Sequence, residues 1–365
     1  MNWLQGILGR KQRYGLNRQS MLAKVRRHLG TFVRYGTPKK FLNLFLVILE
    51  AVFRRTSLRG RPFFIKLDPT SRCNLRCTGC VHGTDLPIKY GDMPLETFQR
   101  IVDEFGDYLF KISMYIIGEP LLHPRIYDMV AYAARRNIGT VISTNFHAFD
   151  EKRADRMIDS GLSHLIVALD SMDPDVYGRM RVNGDAERVC RNLEILMKRK
   201  ARRRAALPFV EVQTIRNDLT REGIPRIRAF AESLGVDRHL VREDVTGYTT
   251  YTGKNRTCYW LWNTLLINEN GLLLPCCPTA CTPEFMKSEM REFGTLEKDL
   301  KQGWNTVRYR DARKVFAFRR SRVREIDRSR PPICLTCAIF RRKERILADL
   351  KACGYGDLPI FGLYE

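Results

Sequence analysis

Histidine is scarce in this chain, and carboxylates are outnumbered. Its 365 residues include 6 histidines and 40 Asp plus Glu against 63 Lys plus Arg. The histidines are scattered without ligand spacing, so no histidine-based metal centre is expected, and His123 in LLHP reads as structural. Long apolar runs are missing too. The most apolar stretch, Phe41 to Phe53, has eleven apolar residues of thirteen and is broken by Asn43 and Glu50. A bilayer span needs about 20, so this stretch does not cross a membrane. No secretory signal opens the chain, and seven of the 11 cysteines fall at spacings suited to metal. Thiols in a reducing cytoplasm are therefore expected rather than a disulfide framework.

The shortage of acids is concentrated at one end. From Met1 to Arg61, fourteen Lys or Arg face one acid, Glu50. The apolar stretch lies inside this basic arm, flanked by Lys39, Lys40, Arg54 and Arg55. Three readings stay open. A basic helix with an apolar face suits the headgroup layer of an anionic membrane; a helix packed on the body would keep a solvated basic side; and phosphate attraction would suit nucleic acid. No recognised nucleic-acid module accompanies the arm, which makes nucleic acid the weakest of the three.

After the arm, short apolar strands alternate with helical stretches, the pattern of a parallel α/β sheet. Strands are expected at 63–67, 111–117, 140–143, 164–169, 209–215 and 238–242. The intervening helices are expected at 93–105, 125–136, 151–160, 174–199 with an interruption near Gly184, and 220–234. Ligands in such sheets bind at the carboxyl ends of the strands. Those ends carry Gly118, Glu119 and Pro120 after the second strand, Ser143, Thr144 and Asn145 after the third, and Asp170 and Ser171 after the fourth. The basic run Lys198 to Arg204 ends a helix, where cations suit the dipole.

The first strand leads into LDPTSRCNLRCTGC, whose Cys73, Cys77 and Cys80 are spaced CxxxCxxC. One loop can then wrap three thiolates around a [4Fe-4S] cube, leaving the fourth iron open. A zinc loop is the alternative, although zinc sites normally pair CxxC with a distant second pair. The loop resembles that of radical S-adenosylmethionine (SAM) enzymes. In that family the open iron chelates the amino and carboxylate groups of SAM, and an electron from the cluster releases a 5′-deoxyadenosyl radical that abstracts a substrate hydrogen. The resemblance implies a partial (β/α)6 TIM-like barrel. It also implies that GEP at Gly118 to Pro120 meets the SAM amino group, with Glu119 as carboxylate partner, and that Asp170 and Ser171 serve the ribose or carboxylate. Arg181 in YGRMRVNG matches an arginine that meets the SAM carboxylate; its plain alternative is a solvated helix arginine. There are three departures. Ile117 stands for the first glycine of GGEP. Phe146 stands for the glycine of TNG, at a turn. Gly79 stands for an aromatic beside the adenine, which leaves His82 to pack there.

A second cysteine region follows. CYWLWNTLLINENGLLLPCC, Cys258 to Cys277, reads as a hairpin with strands at 264–267 and 272–274 around Asn268 to Gly271. Cys258, Gly271 and Cys276, then Cys334 and Cys337 in PPICLTC, resemble the SPASM and twitch domains, as do Phe293 to Leu296, Trp304-Asn305 and Arg310 between them. The implied arrangement is one auxiliary [4Fe-4S] cluster held by Cys258, Cys276, Cys334 and Cys337. Zinc on the same four thiolates is the alternative, and Cys276 is preferred to Cys277 on glycine spacing alone. Cys190 reads as a small buried apolar residue. Cys281 reads as a hydrogen-atom donor at the barrel mouth or as an incidental cysteine.

The expected organisation is a basic amphipathic N-terminal helical arm (1–61), a radical SAM partial barrel (62–245), a SPASM/twitch-like β-hairpin-helix cluster domain (246–340) and a C-terminal helix and tail (341–365). The expected activity is a radical SAM oxidoreductase that abstracts a substrate hydrogen and completes an oxidation, either dehydrogenation or crosslinking. A redox-neutral epimerase using a Cys donor is the runner-up. A non-enzymatic metal-binding protein docked to membrane or nucleic acid is the alternative of another class. A small-molecule, lipid-linked or peptide substrate, an electron donor such as flavodoxin or ferredoxin, and an anionic membrane surface for the arm complete the expected partners. The expected location is cytoplasmic, at most peripheral to the inner membrane face.

Overall fold

Each short apolar strand of the barrel is followed by a helix that carries the chain back across one face of the sheet, so the strands run parallel. The computed structural model describes residues 29–243, 258, 260–300, 302–317 and 320–336. The strands are β1 (Phe64–Leu67), β2 (Lys111–Met114), β3 (Gly139–Thr144), β4 (His164–Ala168), β5 (Phe209–Arg216) and β6 (Arg238–Glu243), with β7 (Thr264–Ile267) and β8 (Leu273–Leu274) from the cysteine-rich region. The helices are α1 (Pro38–Val52), α2 (Leu95–Phe105), α3 (Ile126–Arg135), α4 (Glu151–Asp159), α5 (Pro174–Met180), α6 (Ala186–Arg202) and α7 (Ile224–Ser233), then α8 (Val307–Val315) beyond several single turns.

Side chains of alternate strand residues separate two environments. Ile65, Leu67, Ile112 and Met114 are at most 1% exposed and pack with Phe98, Ile101, Val102 and Phe105 of α2. The opposite, concave face carries Lys66, Tyr115 and Ser143 towards the carboxyl ends. It is plugged lower down by buried Glu211, which pairs with Arg238 and faces His164.

One local difference from the sequence expectation has a clear cause. β2 ends at Met114 rather than running to Ile117, because the Ile116 and Ile117 N–H groups donate to the carboxylate of Asp68 at 2.6 and 3.1 Å instead of to a strand. The interruption expected near Gly184 is where α5 ends and Asp185 caps α6, its side chain accepting from Arg188 N at 2.9 Å.

The sheet order is β6-β5-β4-β3-β2-β1-β7-β8. The barrel is therefore open, and its free β1 edge is taken by the hairpin of the second cysteine region. β7 runs parallel to β1 with Phe64 opposite Thr264 and Leu67 opposite Ile267, and β8 closes the hairpin antiparallel. The connection between α1 and β1 joins the same unit. Trp262 Nε1 donates to Arg55 O, Trp304 Nε1 to Gly60 O, and Asn305 brackets Leu58 with bonds of 3.0 and 2.6 Å. Fully buried Arg313 of α8 ties Leu261 O, Thr56 O and the Asn305 amide together. The arginine expected in this connection, Arg310, is exposed; Arg313, three residues on, takes the buried position.

Candidate active site

The cysteine loop leaves β1 and folds back on two other strand ends. Glu119 N donates to Arg72 O at 2.8 Å. This close approach needs glycine before it, since a Cβ on Gly118 would lie 1.8 Å from Thr70 O. On the other side, Arg76 N and Thr78 N donate to Val182 O and Met180 O at 3.0 Å, and Thr78 Oγ1 to Arg179 O at 2.9 Å. The segment bearing Arg181 is thus stitched to the loop bearing the cysteines. Gly79 has φ +77°, a left-handed conformation that suits glycine and accounts for the missing aromatic.

Cys73, Cys77 and Cys80 are close enough to influence one another's charge. Burial pushes the Cys73 thiol up to about 11 and raises Cys77 as well, while the Leu75 N–H at Cys73 and the Arg181 guanidinium, 3.8 Å from Cys77 Sγ, favour the thiolates. Iron binding would displace the protons. Among the described residues no three His, Cys, Asp or Glu converge tightly enough to grip a single metal ion. Three thiols in one loop beside a fixed cation fit a cluster.

Around them the expected residues converge, with their partners now visible. Glu119 is 3% exposed, and its carboxylate accepts from Leu121 N, Thr144 Oγ1 and Asn145 N at 3.0, 2.6 and 2.7 Å. Burial raises its pKa against these donors, and one lone-pair position is left for an ammonium. Pro120 opens the turn after it. Asn145 reaches Asn74 Oδ1 at 2.9 Å and Cys73 Sγ at 3.9 Å. Ser143 is half-buried on the concave face of β3. The TNG-like turn forms even with phenylalanine: Phe146 adopts φ +62°, is fully buried, and packs on Phe149 at 4.2 Å. The left-handed conformation costs roughly 1–2 kcal/mol.

Asp170 is fully buried and both of its oxygens are engaged, Oδ1 by Ile215 N at 2.8 Å and Oδ2 by Arg181 Nε at 2.7 Å. Arg181 is therefore an aimed, ion-paired side chain 18% exposed rather than a solvated one. Asp170 acts on the site through Arg181. Ser171 Oγ accepts from Asp173 N at 3.0 Å. His82 is 3% exposed, stacks parallel to Tyr90 at 6.0 Å, and has no side-chain partner on either ring nitrogen. Sequence reasoning missed Asp68. It organises the turn before Gly118, and burial pushes its pKa up to about 8; a carboxylate directly after an apolar strand was the available signal.

In the second region the adjacent cysteines part. Cys276 and Cys334 are both within electrostatic reach of fully buried Tyr309, whose hydroxyl donates to Leu274 O at 2.8 Å. Cys277 faces the concave side and hydrogen-bonds Lys66, whose Nζ lies 4.3 Å over the Tyr115 ring. Cys281, one turn on, is exposed at the mouth and senses Cys277, Lys66 and the loop's Cys80; burial of its sulfur pushes the thiol up to about 11. Cys258 is half-buried against the core. Cys337 lies outside the described residues, as do the expected C-terminal helix and residues 1–28 of the basic arm.

An open parallel half-barrel with a three-cysteine loop at its carboxyl edge defines a class, and comparison with known proteins names it. Residues 67–210 match the radical SAM superfamily, and residues 258–338 match the SPASM iron-sulfur cluster-binding domain. The chain belongs to the radical SAM superfamily and carries a C-terminal SPASM domain. It thereby uses a [4Fe-4S] cluster, SAM and auxiliary iron-sulfur chemistry. A tungsten-containing aldehyde ferredoxin oxidoreductase cofactor-modifying protein of Pyrococcus furiosus is 27% identical over 186 residues, 49% of this chain and 50% of that one. A PqqA peptide cyclase of Granulibacter bethesdensis is 26% identical over 177 residues, 48% of this chain and 46% of that one. This chain thus matches about half the length of these relatives. SuiB of Streptococcus suis, solved bound to SAM, shares the fold at TM-score 0.54 and 14% identity, covering 82% of this chain and 75% of that one.

Proposed function

We propose that this chain is a radical SAM oxidoreductase that removes hydrogen from an unactivated C–H bond and completes an oxidation at the same carbon. The observation carrying this reading is the parting of Cys276 and Cys277. One is a candidate auxiliary ligand within electrostatic reach of Tyr309, as Cys334 is, and its neighbour faces Lys66 on the concave wall, so the auxiliary ligand set borders the chamber in which SAM and substrate would meet. When bound at Cys73, Cys77 and Cys80 and at Cys258, Cys276, Cys334 and Cys337, the clusters supply the electron that splits SAM and an acceptor for the second electron of the oxidation.

The chain's own side chains do the positioning. Asp170 holds Arg181 against Cys77, where its guanidinium suits the SAM carboxylate. Glu119 and the strand-end amides hold the opposite side, and His82 with Tyr90 offers a flat surface to the adenine. Lys66 sets a cation in the chamber that favours an anionic group on the substrate. A peptide is the first substrate class to test, since the PqqA peptide cyclase acts on one and SuiB was solved with its precursor peptide SuiA; lipid-linked molecules and small molecules are the second and third.

The epimerase reading is favoured by one observation, the Cys281 thiol facing both Cys80 and Cys277. The test is 5′-deoxyadenosine release by anaerobically reconstituted protein, screened against peptide, lipid-linked and small-molecule pools. No SAM cleavage under reduction would overturn the central reading. Once a substrate is found, turnover of Cys281→Ala in deuterated water separates the two outcomes. Full activity without solvent deuterium at the reacting carbon supports oxidation, and a reaction that stalls after making 5′-deoxyadenosine supports epimerisation.

A further inference from the structure

Helix α1 is amphipathic with its faces reversed. Every exposed residue between 41 and 53 is apolar. Phe41, Leu42, Phe45, Ile48, Val52 and Phe53 stand 46–71% exposed along one stripe, and Val33, in the helical turn before α1, is 75% exposed. The face turned to the barrel carries the helix's polar residues, Lys40, Asn43 and Glu50, beside Val47 and Ala51. The Asn43 amide donates to Arg61 O at 3.0 Å and accepts from Arg61 N at 2.8 Å. The Glu50 carboxylate accepts from Arg59 N and Gly60 N at 2.6 and 3.1 Å, and Lys40 Nζ donates to Asn137 O at 2.6 Å. Burying a carboxylate and a lysine while leaving phenylalanines in water costs stability, unless the outward face has a partner. The helix is 15 residues long, about 22 Å, and no described helix is long and apolar enough to cross a membrane.

We propose that this stripe docks the enzyme onto an anionic lipid bilayer, with α1 lying in the headgroup layer. Charge complementarity selects lipid. Glu50 is the only acid in the first 61 residues, and it is buried, so the outer side of this region presents cations alone, among them exposed Arg34, Arg55 and Arg59. The first 28 residues add seven Lys or Arg and no acid. The stripe offers no hydrogen-bonding side chain to set the register of a protein partner. Its bonds to 58–61 fix α1 to the body, so docking would orient the whole barrel at the bilayer surface. This surface is independent of the reaction assigned above.

The test uses the full chain with vesicles of one-third phosphatidylglycerol and two-thirds phosphatidylcholine, against phosphatidylcholine alone. The wild type should co-sediment with the anionic vesicles. Phe45→Ser/Ile48→Ser/Val52→Ser should lose at least about tenfold in partitioning while keeping its melting temperature and iron content, because those side chains contribute little to the fold. Arg55→Gln/Arg59→Gln should weaken binding and flatten its salt dependence. In Phe45→Trp, the new indole should shift to the blue only when vesicles are added. Equal partitioning of wild type and the serine variant would overturn the proposal. So would an indole already blue-shifted without lipid, which would mean the rest of the chain covers the stripe, or a dimer that the serine variant dissolves without any vesicle binding.

Discussion

The two cysteine sites are built in opposite ways. Cys73, Cys77 and Cys80 lie within eight residues of one loop, and the tertiary structure adds the groups that surround them: Glu119 from the end of β2, Asn145 from β3, Arg181 beyond β4. The auxiliary candidates begin at Cys258 and end at Cys337, with Cys276 and Cys334 both within electrostatic reach of buried Tyr309. A loop motif carries its geometry with it, whereas a dispersed site depends on how its segments pack. The pair Cys276 and Cys277 makes the point: they lie past the end of β8, where Cys277 opens a short helical turn, and packing sorts the two sulfurs.

The largest way to separate the sites is to remove the first. Cys73→Ala/Cys77→Ala/Cys80→Ala should lower iron by about four per chain and abolish SAM cleavage, leaving about four iron per chain with a [4Fe-4S] spectrum at the second site. Persistent reductive cleavage of SAM would defeat the assignment, and stoichiometric zinc after anaerobic preparation would make the second site structural. The adjacent pair sharpens the second site itself. Cys276→Ala should lose the auxiliary signal while Cys277→Ala keeps it, as measured by iron content and electron paramagnetic resonance; the reverse pattern would mean the two sulfurs have been sorted wrongly.

A smaller effect probes how the loop site is aimed. Asp170→Asn keeps the shape and removes the charge that holds Arg181, so SAM affinity should fall roughly 10- to 100-fold, the worth of one charge-assisted hydrogen bond. Iron content should be unchanged. An unaltered SAM Kd, measured by calorimetry on the reconstituted protein, would leave Arg181 a structural cation.

The last effect concerns stability. Burial raises the Asp68 pKa to about 8, above its unfolded value of about 3.9. A carboxyl shifted this way stabilises the fold while protonated: its contribution is full below about pH 4 and is lost as pH rises towards 8. Between pH 5 and 8 the wild type should therefore lose roughly 3–4 kcal/mol more stability than Asp68→Asn. Parallel pH profiles from chemical denaturation would show that Asp68 is charged throughout.

Much of the barrel was legible because its strands are short apolar runs between capped helices, and the expected bounds fall within a few residues of those observed. Misses occurred where a side chain from elsewhere replaced a backbone partner, as Asp68 does at Ile116 and Ile117. Arg181 was readable as a candidate, but its aim depends on Asp170, eleven residues away in the chain. Arg310 matched the family pattern, yet Arg313 holds the seam, because helix phase and packing determine which arginine faces inward.

The sequence by itself determined the chemistry of the loop, the alternation of strand and helix, and the presence of an amphipathic helix in the basic arm, since all three rest on local spacing. Tertiary structure alone decided that β7 pairs with the free edge of β1, that Cys276 and Cys277 serve different sides, and that α1 turns its polar face inward. A helical period reports that two faces differ; which of them is buried depends on the partners waiting there. For α1 those partners are the Arg59, Gly60 and Arg61 N–H groups, which donate to Glu50 and Asn43, and the Arg61 and Asn137 carbonyls, which accept from Asn43 and Lys40, leaving the apolar stripe outside.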